Sequence, residues 1–211
     1  MIIYRCVEYN SKFGDLSMIK NKKIIMSLFL AFLLALPINT SVKASTLNIE
    51  STTITPRDTF KGKWTTNIKI YINTFDSSIR SPFLVAIDEW NSILSEIGSK
   101  IKIETVYQQS SANTVLNVKE FGGQYTAFGV SYPEGASIFT SGEIGVNANK
   151  FINDNDIIKR ANIARHEIGH ILGLAHTTGG QSSVMDAEIA SYNKIMKPTS
   201  YDKSELKSKY K

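Results

Sequence analysis

Cysteine is nearly absent: Cys6 stands alone among 211 residues. One thiol excludes a disulfide-stapled scaffold and any zinc module built on cysteine. Histidine is almost as scarce, with three in the whole chain. Long hydrophobic runs are missing too. The longest uncharged apolar stretch, Ile24 to Leu36, has thirteen residues, and a bilayer-spanning helix needs about 20. No internal repeat or low-complexity tract is present. What remains is 42% hydrophobic and 20% charged, a composition that excludes global disorder and suits one ordinary domain.

The N-terminal segment reads as an address. Lys20, Lys22 and Lys23 form a basic cluster, the apolar run follows, and Val42-Lys43-Ala44 places small residues at −3 and −1 of a cleavage site. That order is a secretory signal. Residues 1–17 do not fit it, so Met18 is the expected start and 18–44 the expected signal peptide, with the mature chain beginning near Ser45. An uncleaved run, retained as a membrane tether, is the alternative. The first 44 residues hold six Lys/Arg against two Asp/Glu, which leaves 18 against 17 in the remainder. The basic excess belongs mostly to the address, and a nucleic-acid partner loses its electrostatic support. Cys6 is removed as well, which suits an exported protein that uses no disulfides.

Residues 45–60 are Ser/Thr-rich and aperiodic, a flexible lead-in or short pro-segment. Ile68, Ile70 and Ile72 alternate with Lys69 and Tyr71 and predict a strand. Ser81-Pro82 predicts the opening of a helix whose apolar positions are Phe83, Ile87, Trp90, Leu94 and Ile97, ended by Gly98. Ile101 to Thr105 and Val115 to Val118 predict two more strands. The Gly- and aromatic-rich stretch 121–149 predicts an edge strand over Ala127–Tyr132, a turn at Pro133-Glu134-Gly135 and a strand near 144–147. A long helix is expected over about 156–172 and a last one over about 201–210. This succession predicts an α/β fold with a mixed sheet.

The chemistry is written on the long helix: His166-Glu167-Ile168-Gly169-His170-Ile171-Leu172-Gly173-Leu174-Ala175-His176. By helical periodicity Ile157, Ala161, Ala164, Ile168, Ile171 and Leu172 form the core face, and the two histidines lie on the opposite side about 40° apart. Residues four apart project side by side, so both imidazoles can reach one ion. Glu167 falls about 100° round, beside a metal and not on it. Gly169 and Gly173 share the histidine face and leave it uncrowded. Gly173 allows a sharp exit, from which the chain can return His176 as a third ligand. Three neutral imidazoles around zinc leave a fourth position for a water of lowered pKa. Glu167 can accept that water's proton as general base. All three histidines of the chain fall in this one motif.

That motif, HExxHxxGxxH, resembles the signature of metzincin zinc endopeptidases, and the chain is most similar to their matrixin (matrix-metalloproteinase-like) branch, in a secreted bacterial form. The resemblance implies a metzincin-like catalytic domain over 61–211: a twisted mixed sheet packed with two long helices and a C-terminal helix. It places Ser183-Val184-Met185-Asp186 at the family's Met-turn, with Met185 as a hydrophobic floor under the ligands. Trp64, Trp90 and Asp202 to Tyr210 also look matrixin-like. The edge strand, at Ala127, Phe128, Gly129 and Val130, would pair with an extended substrate, and Tyr192 would lie near a specificity pocket. The stretch 187–197 departs from the family's usual length. A capping pro-segment cysteine and the histidines of a second, structural zinc are missing.

The expected function is therefore a secreted, extracellular hydrolase: a zinc metalloprotease with one catalytic Zn2+, acting as a monomer on protein or peptide substrates. No nucleic acid and no stable membrane anchor are expected. Two alternatives stay open, a catalytically idle zinc-containing binding domain and a membrane-tethered protease. Asp154-Asn155-Asp156 raises Ca2+, against helix capping as the simpler role.

Overall fold

The computed structural model describes residues 61–121, 125–152, 156–177 and 182–211. The expected start at Met18, the signal 18–44 and the lead-in 45–60 lie outside them, as do Asp154 and Asn155.

Seven strands are present among the described residues: β1 (Lys63–Trp64), β2 (Ile68–Asn73), β3 (Ile103–Val106), β4 (Thr114–Val118), β5 (Ala127–Tyr132), β6 (Ile138–Phe139) and β7 (Ser141–Val146). Four helices accompany them: α1 (Ser77–Glu96), α2 (Ala148–Ile152), α3 (Ile157–Ile171) and α4 (Ser200–Tyr210). The main sheet has the order β3-β2-β4-β7-β5. Its first four strands are parallel, and β5 runs antiparallel along β7 at the edge. This is the mixed α/β architecture that the sequence predicts. β1 and β6 form a separate two-residue parallel pair. Elements this short leave no periodic signal, and α2 was likewise not expected.

The alternation of β2 puts Ile68, Ile70 and Ile72 inside and Lys69 and Asn73 outside, as a period of two requires. Leu116 and Ile144 join them from β4 and β7, Phe83 and Trp90 from α1, and Ile168 and Ile171 from α3, in one buried core. Each such side chain, fully withdrawn from water, stabilises the fold by about 1.5–3 kcal/mol.

The first helix corrects the expected boundary. It begins at Ser77, not at Ser81-Pro82, because Asp76 caps it: the carboxylate accepts from the Ser78 N–H at 2.8 Å and the Ser78 hydroxyl at 2.6 Å. Pro82 lies inside the helix, where it removes one backbone hydrogen bond. At the other end Gly98 adopts φ 73°, the left-handed exit that the sequence predicts.

The long helix α3 is capped by Asp156, whose carboxylate accepts from the Ile158 and Lys159 N–H groups. Among these residues capping is thus the observed role of Asp156. Gly173, at φ 82°, ends the helix. The Leu174 N–H returns to Gly169 O at 3.0 Å and the Gly173 N–H to His170 O at 2.9 Å, the paired bonds of a Schellman closure. One core assignment fails. Ile157 is 69% exposed, because the first residue of α3 projects past the layer that buries the rest. In compensation, every residue from Asn162 to Ile171 is buried.

Candidate metal centre

Helix α3 is held from several sides before any metal is considered. The Trp90 indole N–H donates to Arg165 O at 2.9 Å, and the Trp64 indole N–H to Ile171 O at 2.7 Å. Ser131 adds a second bond to Ile171 O at 2.8 Å, and the Tyr210 hydroxyl satisfies Leu172 O at 2.9 Å. Strands β1 and β5 and helix α4 thus meet at the carbonyl end of α3, where its last orphan acceptors need partners. Arg165, 3% exposed, pairs with Glu89 of α1 through two contacts of 2.5 and 2.8 Å. Two parallel N–H···O bonds fix the rotation of α3 against α1 as a single contact would not.

His166, His170 and His176 come together as the spacing predicts. Their Nε2 atoms lie 3.0 Å (166–170), 3.0 Å (166–176) and 3.1 Å (170–176) apart. The Nδ1 of His166 donates to Val184 O at 2.8 Å, and that of His170 to Leu174 O at 2.8 Å. A carbonyl only accepts, so both Nδ1 atoms carry the ring proton and both Nε2 atoms present lone pairs. No proton can then bridge the 166–170 pair. Burial lowers the His166 pKa to about 4, lowers that of His170 well below the ordinary value and lowers that of His176 as well. The rings are therefore held neutral, the form that binds a metal.

This donor set fits zinc. A tetrahedral zinc with bonds of about 2.0–2.1 Å sets ligand–ligand edges near 3.3–3.4 Å, a few tenths of an ångström wider than the edges here. Among the described residues this triad is the one cluster of three or more metal-binding side chains close enough to share an ion.

The expectation that the glycines leave the histidine face uncrowded is wrong. His166 is 6% and His170 7% exposed. The segment Ser183-Val184-Met185-Asp186 packs against it. A Cβ at Gly169 would lie 2.3 Å from Met185 Sδ, so the space left by Gly169 is occupied by that thioether. Met185 itself is buried, and its N–H is held by Ser183 Oγ at 2.8 Å. Asp202 of α4 holds this turn in place. Its carboxylate accepts from the Ser183 hydroxyl, the Val184 N–H at 3.2 Å, the Thr199 N–H at 2.7 Å and the Thr199 hydroxyl at 3.0 Å. The path from α4 to the metal ligand is thus short: Asp202, Val184, His166.

Glu167 is buried next to His166 and is not a member of the triad. Burial pushes its carboxyl pKa up to about 8, and a hydrogen bond from the Gly129 N–H partly opposes the shift. Gly129 lies on β5, so close to the helix that a Cβ there would stand 2.4 Å from Glu167 O. Of the strand residues singled out by sequence, Ala127 and Gly129 face α3 with Ser131, while Phe128 and Val130 face the other side of the sheet. Phe128 lies across Gly145 and meets the Phe121 ring edge-on at 5.3 Å. Among the described residues β5 has a strand neighbour on one edge only.

Sequence reasoning missed Asn162 and the Glu89–Arg165 pair, and named Asp186 only as part of the Met-turn. Asn162 had a usable signal, since it lies four residues before His166 on the same helical face. Its Oδ1 accepts from the Met196 N–H at 2.8 Å, and its Nδ2 donates to Lys194 O at 3.0 Å. Tyr192 donates its hydroxyl to Asp186 at 2.6 Å, which in turn holds the Asp186 carboxyl below its usual range.

No curated protein matches the chain. The matrixin family model matches residues 63–211, more than two thirds of the sequence and all of the elements just described. With a three-histidine site of this geometry inside that match, the chain belongs to the matrixins, zinc metalloendopeptidases whose substrates are peptides.

Proposed function

We propose that this matrixin acts outside the cell on extended polypeptides, with Glu167 moving the proton. The placement of Glu167 carries the reading: a buried carboxylate next to His166, bonded to the substrate-side strand and not part of the ligand cluster. His166, His170 and His176 would hold the zinc, which when bound supplies the Lewis acidity that polarises the scissile carbonyl and acidifies water. A Glu167 carboxylate oxygen takes the proton of the attacking water and delivers it to the departing amine nitrogen. An extended peptide would pair along the free edge of β5 at Ala127–Val130, with backbone bonds giving affinity. An idle binding domain has no use for a buried, oriented carboxylate at this position.

Export rests on the sequence: the basic cluster before Ile24, the apolar run and Ala44. Among the described residues no helix is long and apolar enough to cross a membrane. The mature form would start near Ser45, act as a monomer and bind one zinc, since its only histidines are committed to one site. N-terminal sequencing of the protein recovered from culture medium checks the cleavage.

The test of mechanism is Glu167→Ala, assayed on a peptide library with and without a zinc chelator. The variant keeps about one zinc per chain, because the ligands are untouched. Its rate falls about 10²–10⁴-fold, the usual contribution of a general base. A variant cleaving at near wild-type rate would overturn the assignment.

A further inference from the structure

Charge is unevenly placed along the chain. Residues 194–211 hold six lysines against two acids, which leaves 12 Lys/Arg against 15 Asp/Glu in residues 45–193. One of those two acids, Asp202, is buried and spent on Ser183, Val184 and Thr199. Residues 194–211 thus form a cationic pole beside a stretch of opposite net sign.

The fold adds lysines from elsewhere to that pole. The end of α4 meets β1 and the turn after α1 around an open cleft of about 480 Å³, whose lining includes Lys63, Gly98, Lys100, Tyr210 and Lys211. A Cβ at Gly98 would meet nothing within 4 Å, so the cleft is open there. Lys63, Lys100 and Lys211 are exposed, and no acidic side chain lines the cleft among the described residues. Lys207 stands one turn before Lys211 on the same face of α4. Lys209 donates to Gly62 O at 3.4 Å, beside Lys63.

Neither ion pairing nor the helix dipole accounts for these lysines. Lys102 faces Glu104 at 2.7 Å, Lys119 faces Glu143 at 2.6 Å, and Lys203 faces Glu96. Lys63 and Lys100 have no acidic partner among the described residues. Lys207 and Lys209 lie in the last turn of α4, where a cation complements the helix dipole. That effect fades within the last turn. It does not cover Lys63, on a strand, or Lys100, past the C-cap of α1 at Ile97. Like charges gathered in one cleft repel, and a bound anion relieves the repulsion.

We propose that this cleft and its lysine rim are a docking site for an anionic polysaccharide, apart from the metal centre. None of the three histidines, Glu167 or β5 lines it. The lining selects among polyanions. It holds no arginine, the side chain whose planar fork suits phosphate. It offers no aromatic platform to a nucleobase: Trp64 is 1% exposed with its N–H on Ile171 O, and the Tyr210 hydroxyl is spent on Leu172 O. It has no aliphatic side chain to enter a bilayer. A glycan bearing sulfate or carboxylate groups needs only the ammonium charges. The choice of a glycan rests on the extracellular reading above.

The experiment titrates the zinc-loaded protein with heparin, a sulfated glycan, over a series of salt concentrations. Wild type is compared with Lys63→Gln, Lys100→Gln, the double variant, and Lys69→Gln, which removes an exposed charge on β2 outside the cleft. All forms are produced alike and carry the same N-terminus. The wild type is expected to bind heparin at physiological salt. Each single cleft variant loses about 5-fold, the usual worth of one lysine near an anionic surface, and the double variant about 25-fold. The slope of log affinity against log salt falls by about 1 per lysine removed. Lys69→Gln changes affinity by less than about 2-fold, and cleavage of a short uncharged peptide stays the same in every form. Three results overturn the proposal: a wild type that does not bind heparin, a Lys69→Gln loss equal to that of Lys63→Gln, or tighter binding to duplex DNA or phosphatidylserine vesicles than to heparin. A protein that binds heparin through Lys63 and Lys100 and cleaves no peptide supports the docking site and overturns only the peptidase reading.

Discussion

Gly169→Ala separates two opposed effects at one position. In an isolated helix the change stabilises by about 1 kcal/mol, because alanine loses less backbone entropy than glycine. Inside this protein the new methyl would sit 2.3 Å from Met185 Sδ and 3.3 Å from the Trp90 ring. Relaxed non-bonded contacts to carbon lie near 3.5–4.0 Å, so Met185 must retreat by more than about 1 Å. Its side chain is flexible but boxed in, at 1% exposure. Overpacking of this kind costs about 1–3 kcal/mol, and the net expectation is a loss of about 1 kcal/mol. The displacement passes along one peptide unit to Val184, whose carbonyl orients His166. Groups that orient a ligand are worth about 10–100-fold in metal affinity, so zinc binding should weaken by about tenfold. Denaturant unfolding of the metal-free protein reads the first effect, and a zinc competition titration reads the second. A variant about 1 kcal/mol more stable with unaltered zinc affinity would show that Met185 does not depend on the missing side chain.

His176→Ala should reduce zinc affinity sharply and leave the far-ultraviolet circular dichroism unchanged, since His176 lies after α3 and outside the buried core. Metal analysis and spectroscopy on one sample check it, and an unfolded variant would mean that the ion is also structural. Asp202→Ala strands the donors of Ser183, Val184 and Thr199, and should lower stability by about 2–4 kcal/mol in denaturant melts, given about 1.5–3 kcal/mol for hydrogen bonds to a charged group. It should also weaken zinc binding, although Asp202 touches no ligand. Unchanged zinc affinity in a folded variant would break the proposed path through Val184.

The sequence by itself determined the ligands and their element. A spacing of four on a helix puts His166 and His170 side by side whatever surrounds them, and a glycine at 173 allows the turn that brings in His176. These are local rules, set by a few consecutive torsions. The strand of Ile68, Ile70 and Ile72 and the edge strand Ala127–Tyr132 were legible for the same reason. The start of α1 was also local, and Asp76 was simply a better cap than Ser81. What lies over the histidine face was not local. Periodicity gives the direction of a side chain from its own axis and is silent about what arrives there from 18 residues away, as Val184 does, or from 40, as Ser131 does to Ile171. For that reason the face expected to be uncrowded is buried, the space at Gly169 is filled by Met185, which only the family resemblance had put near the ligands, and Asn162 went unread. Tertiary packing alone decided which backbone carbonyls fix the imidazole protons, and so which nitrogens are left to hold the metal.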